Sequence, residues 1–439
     1  MADLSNGVAE KDLKHTNVSA HPEHSQITSE TQNDRLSMDQ LPLEILLKIF
    51  NYLDPQFLSR NMTRVCLRFT KILHDELFWK KMLTNIIIFK HLEGNVTMIR
   101  NPFNAGLEDH WLSGRDVLWR DLAVNLSSIK KKWQFQKIGS QLFRQPHFAP
   151  VDTTKIIGNG STIVSGGRDR MVNLWKINAD SLHLEAIYSA DRNHTGWIWD
   201  IDFYEPDTFF TCSWDHEVVL WATEGLQRLC SFNCGKPVMA ISTTRGLVAA
   251  GLHSPKIILL DPRIGFAQAK NSLISFDMHG HTVTDVLLLP EQNLLLSTSE
   301  DKSLCFFDIR YHKQRYKTVT ISRDNSFPRC IAHKRGLIYI GDSRGNIHMT
   351  SVGSDASENL VLNVGTTRLI TSVVPHVSCV TVGSFDAHIR IISTCTTPPV
   401  LLWDQTINGQ VTSVDQYKDL IAASSALGSV NLYKPINQL

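Results

Sequence analysis

Ser165-Gly166-Gly167-Arg168-Asp169, followed six residues after the aspartate by Trp175, is the stretch of this 439-residue chain from which its architecture follows. Small residues and an aspartate favour a tight turn, and the apolar, β-branched residues on either side favour two strands. The arrangement returns as Thr211-Cys212-Ser213-Trp214-Asp215 running to Trp221, Ser297-Thr298-Ser299-Glu300-Asp301 to Phe307, and Val382-Gly383-Ser384-Phe385-Asp386 to Ile392. Ser254 to Leu260, Arg344 to Thr350 and Leu427 to Tyr433 keep the six-residue offset without the aspartate. Successive turn positions stand 46, 39, 47, 43, 42 and 41 residues apart, which makes seven units. From Trp133 onward short apolar stretches alternate with Gly, Asp, Asn and Ser turns, so residues 133–439 form an all-β repeat domain.

This period and turn chemistry resemble the WD-repeat family, whose units are four-stranded blades; the resemblance implies a seven-bladed β-propeller. In such blades a His, an Asp, a Ser or Thr and a Trp form one hydrogen-bonded chain. The second unit offers His194, Asp215, Thr211 and Trp221. The fourth offers His281, Asp301 and Ser297, with Phe307 in place of Trp. The last unit ends its third strand at Tyr433, too near the C-terminus for a fourth. A ring without sheet edges must then borrow Lys137–Phe143, which is expected to pair with the strand through Asn431.

Ahead of the repeats, Leu41-Pro42-Leu43-Glu44-Ile45-Leu46-Leu47-Lys48-Ile49-Phe50-Asn51-Tyr52-Leu53 opens with Pro at a helix start and carries a wide apolar face. Asp54-Pro55 stops it. Leu58, Met62, Val65, Cys66, Phe69 and Ile72 make a second amphipathic run, and Leu77-Phe78-Trp79 leads a third. Leu-Pro-x-Glu, Ile-Phe-x-Tyr-Leu, Val-Cys-x-x-Phe and Phe-Trp in this order resemble the F-box across residues 36–83, with Phe69 where many F-boxes carry Trp. The resemblance implies docking on a Skp-type adaptor, and through it on a cullin and a RING subunit, by Leu41, Pro42, Ile45, Ile49 and Leu53, with Val65, Cys66 and Trp79 adding to that contact or to internal packing. Residues 84–132 are read as a helical connector, with Trp111, Val117, Leu118, Leu122 and Leu126 apolar, and residues 1–35 as a disordered tail.

Lys plus Arg is 44 against 43 Asp plus Glu, so no whole-molecule field favours nucleic acid or a membrane surface. Apolar runs are far shorter than the roughly 20 residues that span a bilayer. The N-terminus lacks a basic-then-apolar pattern, and the expected compartment is the cytoplasm or nucleus. The eight cysteines form no metal or disulfide framework and are expected as reduced structural thiols. No phosphate-cradling loop, nucleophile elbow or metal-spaced His pair occurs, so no catalytic residue, metal or cofactor is expected. Asp200 and Asp285 hold matching strand positions and are read as structural. The WD-repeat resemblance implies that the Asp turns and the loops before the inner strands share one face, and substrate binding is expected there, from Arg168, Arg170, Trp197, Trp199, Trp214, His216, Lys302, Arg329, Arg344 and Phe385. Trp and Arg are favoured interface anchors, and Arg pairs with carboxylate or phosphate. The expected ligand is an acidic or phosphorylated, partly apolar protein substrate. The chain is therefore read as a non-catalytic substrate-recognition subunit of a Skp–cullin–F-box ubiquitin ligase. The alternative is a non-catalytic WD-repeat scaffold outside any cullin ligase.

Overall fold

The computed structural model describes residues 37–88, 97–98, 118–143, 147–178, 181–190, 193–263, 274–310, 315–321, 325–352 and 359–436. The expected tail 1–35, Trp111 and Val117 lie outside them.

Four helices open the described chain: α1 (Leu43–Tyr52), α2 (Pro55–Arg60), α3 (Leu67–Leu73) and α4 (Glu76–Ile88). Pro42 caps α1 and needs no N–H there; Asp54 caps α2 by accepting from the backbone of Gln56 at 2.8 Å. The second amphipathic run, Leu58 to Ile72, is divided between α2 and α3, and Cys66 between them adopts an extended conformation and caps α3 through its sulfur. Phe50, Phe69, Phe78 and Trp79 form edge-to-face pairs at the centre, with the Phe50 and Phe69 rings 5.3 Å apart. Phe69 is buried there, so another aromatic fills the place of Trp.

The fifth helix, α5 (Trp119–Phe135), is a strut. It runs past Lys132, where the sequence reading ended the helical zone. On one side Glu76 accepts from the Trp119 backbone at 2.6 Å, and Lys131 stands 3.5 Å from Asp54. On the other, Lys132 pairs with Asp419 at 2.6 Å, Asn125 accepts from Ser378 at 2.8 Å, and Trp133 packs on Trp403 with centroids 4.7 Å apart. One apolar core joins α1–α5 to the last three blades.

Besides a two-stranded pairing of Thr97–Met98 with Thr396–Thr397, the rest of the described chain is seven four-stranded antiparallel sheets. Their inner strands are Val151–Ile157, Ile198–Glu205, Val238–Thr244, Val283–Leu289, Pro328–Lys334, Ile370–Pro375 and Val411–Tyr417. In the seventh blade Lys137–Phe143 supplies the outer strand, with Leu142 opposite Asn431, so the ring closes as expected. Blades approach closely behind the second strands: a Cβ on Gly166 would lie 2.4 Å from Ile198, on Gly341 2.6 Å from Ile370, and on Gly383 2.6 Å from Val414. Only small residues fit that plane. Polar side chains then clasp neighbouring inner strands. Asp200 accepts from Ile241, Asp285 from Ile331, Asp415 from Ile156, and Ser372 from Val414, all through backbone N–H groups. Asp200 and Asp285 are structural, as read.

Candidate binding faces

On the helical module, α1 is apolar nearly all round, and the fold divides its faces. Leu46 and Phe50 point into the core; Pro42 and Ile45 are exposed, and Leu41, Ile49 and Leu53 are half-buried. Val65 is 61% exposed and Cys66 half-buried. Trp79 is not available to a partner: it is fully buried, and its indole N–H donates to the Leu73 carbonyl at 2.7 Å. Its role is internal packing. Leu43, Tyr52, Phe57, Leu67 and Leu77 add exposed apolar surface that periodicity did not single out. A module this small leaves these groups outside any core of its own, as a partner-binding surface does.

The propeller's Asp turns and the loops entering its inner strands share one face, here called the top. The turns that α5 touches, at Ser378 and Asp419, lie on the other. The second blade holds the full chain expected: His194 pairs with Asp215 and Thr211, each at 2.8 Å, and Trp221 donates to Thr211 at 2.8 Å. Burial raises the Asp215 carboxyl, but hydrogen bonds from His194 and two backbone amides outweigh it and hold it at about 2. In the first blade His147 reaches Asp169 and Ser165 at 2.8 and 2.6 Å. In the fourth the partner is His279, not His281: His279 meets Ser297 at 2.8 Å and Asp301 at 3.3 Å, while His281 is exposed. The separation decides it, because His147 and Ser165 are also 18 residues apart. The fifth and sixth blades hold their aspartates from the third strand instead, His348 on Asp342 at 3.1 Å and Arg390 on Asp386 at 2.7 Å.

Every inner strand carries a bulge at its second residue: Asp152, Trp199, Met239, Thr284, Arg329, Thr371 and Thr412. A bulge re-aims its side chain, and these seven ring the top mouth of a central channel of about 340 Å³. Three of them build the site. Arg329 lies over the Trp199 ring at 5.6 Å. Arg168 lies over Trp197 at 5.0 Å and Trp199 at 5.8 Å while its fork holds Asp152 at 3.0 Å. Trp214 closes the cluster, 6.1 Å from Trp197, 6.0 Å from Trp199 and 5.0 Å from His253. Thus Arg168, Trp197, Trp199, Trp214 and Arg329 come together; Arg170, His216, Lys302, Arg344 and Phe385 stand apart on the turns of five blades. Arg168 is committed to Asp152, a partner that the sequence reading missed although it holds the bulge position. On the same face the side chains of Arg170, Lys236, Lys302, Arg329, Arg344 and Arg368 have no carboxylate within ion-pair distance among the described residues.

Below the mouth, Lys155 sits among Asp200, Asp202, Asp285 and Asp415. Burial, then the Asp200 charge, pushes the Asp285 carboxyl up to about 7, and burial lifts Asp202 to about 6. A carboxyl whose pKa is raised by folding stabilises the fold below its unfolded value, roughly 3.9, and loses that contribution as pH rises through the folded value. Asp285→Asn is therefore expected to flatten the decline in Tm between about pH 4 and pH 7; an unchanged slope in thermal denaturation would refute this.

Residues 38–85 match the family model described as F-box-like, and residues 187–222 and 270–308 match the WD domain, G-beta repeat. The chain is 24% identical over 405 residues to F-box/WD repeat-containing protein 9 of Bos taurus, covering 90% of this chain and 82% of that protein. It is 23% identical over 337 residues to F-box/WD repeat-containing protein mec-15 of Caenorhabditis elegans, covering 72% and 77%. A chain from the crystal structure of a mitotic checkpoint complex aligns with a TM-score of 0.56 at 16% identity, over 68% of this chain and 91% of that one. That last likeness is one of fold alone. Neither matched model describes a catalytic family, and among the described residues no helix is long and apolar enough to cross a membrane.

Proposed function

We propose that this chain, an F-box-like module joined to a seven-bladed WD-repeat propeller, is the substrate-recognition subunit of a Skp–cullin–F-box ubiquitin ligase. The observation that supports the reading is that an exposed apolar surface and an exposed Trp–Arg cluster lie at opposite ends of one packed body. Exposed apolar groups of α1 and the segment around Val65 lie on the helical side, α5 packs under the propeller, and the Trp–Arg cluster faces away on top. In this role the chain does no bond chemistry. The helices hold the Skp-type adaptor and thereby cullin and RING subunits, the top face holds the substrate, and a recruited ubiquitin-conjugating enzyme transfers ubiquitin. The contribution is effective concentration of substrate lysines near the activated thioester.

The unpaired cations around the Trp cluster favour an acidic or phosphorylated substrate segment, because Arg binds carboxylate and phosphate through two parallel hydrogen bonds. Charge reversal of Arg170, Arg329 and Arg344 to Glu tests this. Proteins whose ubiquitination depends on the chain, identified by ubiquitin-remnant proteomics in cells with and without it, are expected to lose that dependence while the adaptor still co-purifies. Unchanged modification by the triple variant would remove the acidic-ligand reading. Adaptor bound without any cullin would leave a scaffold.

A further inference from the structure

We infer that the top face takes an extended segment with an acidic centre and an apolar residue on each side of it, laid across blades seven, one and two. This rests on the substrate-capture reading and deepens it. Phe148 and Leu427 are 81% and 72% exposed, the most exposed large apolar side chains among the described propeller residues. They are held firmly. The Phe148 N–H donates to Asp169 at 3.2 Å, in the turn that His147 also grips. The turn behind Leu427 presses on the same loop: a Cβ on Gly428 would stand 2.7 Å from the His147 carbonyl, and Gly428 has φ +82°. Two large apolar groups are thus exposed on touching loops of blades seven and one, with Leu427 resting on Gly409.

From these loops the face continues to the turn of blade one. There Asp169 is engaged by His147 and Arg168 by Asp152, which leaves Arg170 as the exposed cation without a carboxylate partner. Beyond it lie Trp197 and Trp214, both more than a third exposed. The order along the surface is apolar, cationic, aromatic, and its complement is apolar, acidic, apolar. Arg329 reaches Trp199 from the fifth blade to the second and roofs the channel, so the segment lies over the mouth and not inside it.

An oriented array of synthetic peptides tests this with the full chain. The central position is Glu, phosphoserine or Ala, and the flanks on each side are either apolar or polar. Binding is expected to require Glu or phosphoserine at the centre and apolar residues on both sides. Phe148→Ser with Leu427→Ser, both on the surface and therefore expected to fold, should erase the apolar preference on one side only, weakening those peptides roughly tenfold or more. Arg170→Glu should erase the preference at the centre. Wild-type chain that prefers an apolar residue on one side only, or a double variant that keeps both preferences, would overturn the inference and leave substrate capture standing. If no peptide binds, this face does not take short segments and the inference falls, whereas the substrate-capture reading falls only if no protein loses ubiquitination in cells without the chain.

Discussion

Ile45→Asp combined with Val65→Asp is expected to abolish co-purification of a Skp-type adaptor, and with it of cullin, from a chain that remains folded. Both residues are on the surface, 41% and 61% exposed, so the isolated protein meets the new carboxylates with water around them. On docking they would be desolvated without a partner. Each lost apolar anchor removes about 1.5–3 kcal/mol, and each buried unpaired carboxylate costs several more. An affinity loss beyond roughly a thousandfold follows. The comparison that gives the result meaning is Trp79→Ala. That side chain is fully buried and hydrogen-bonded within the module, so its truncation costs about 3–5 kcal/mol of fold stability. Trp79→Ala should lose the adaptor together with protease resistance of residues 37–88, whereas the surface pair should lose the adaptor alone. A folded wild-type chain that captures neither adaptor nor cullin would defeat the ligase reading.

The second large effect concerns the propeller. Asp215→Ala strands a buried imidazole and the backbone N–H groups of Thr195 and Glu217, which now donate to the carboxylate at 2.9 and 3.0 Å. Breaking one partner out of a buried pair costs about 3–5 kcal/mol, or roughly 10 °C in Tm for a domain of this size. The deficit should depend on pH in a definite direction. Asp215 is held at about 2 in the folded chain, so its stabilisation is present above the ordinary carboxylate value and is lost as pH falls toward 2. Wild type and variant should therefore converge in acid. In the fourth blade His279→Ala should destabilise and His281→Ala should not, since only the former is buried against Ser297 and Asp301. Equal melting of those two variants would refute the assignment.

The repeat was legible because its physics is local. A tight turn needs Asp and small residues at set offsets, so the blade number, the borrowed strand at Lys137–Phe143 and the second blade's complete hydrogen-bonded chain could all be read along the sequence. The helical module was legible as an ordered string of residues, yet periodicity could not say which of two apolar faces of α1 turns inward or that Trp79 is core. That depends on what packs against it. The histidine of the fourth blade was displaced by two positions because composition alone does not measure the reach from loop to strand. The site itself came from tertiary structure. Bulges in seven separate inner strands bring Asp152, Trp199 and Arg329 to one channel mouth, although these residues are far apart in the chain. Which cations are spent on internal partners is likewise settled only there, since Arg168 lies 16 residues from the carboxylate that occupies it. Residue type and spacing determined the elements; long-range packing and closure of the ring decided which side chains each surface presents.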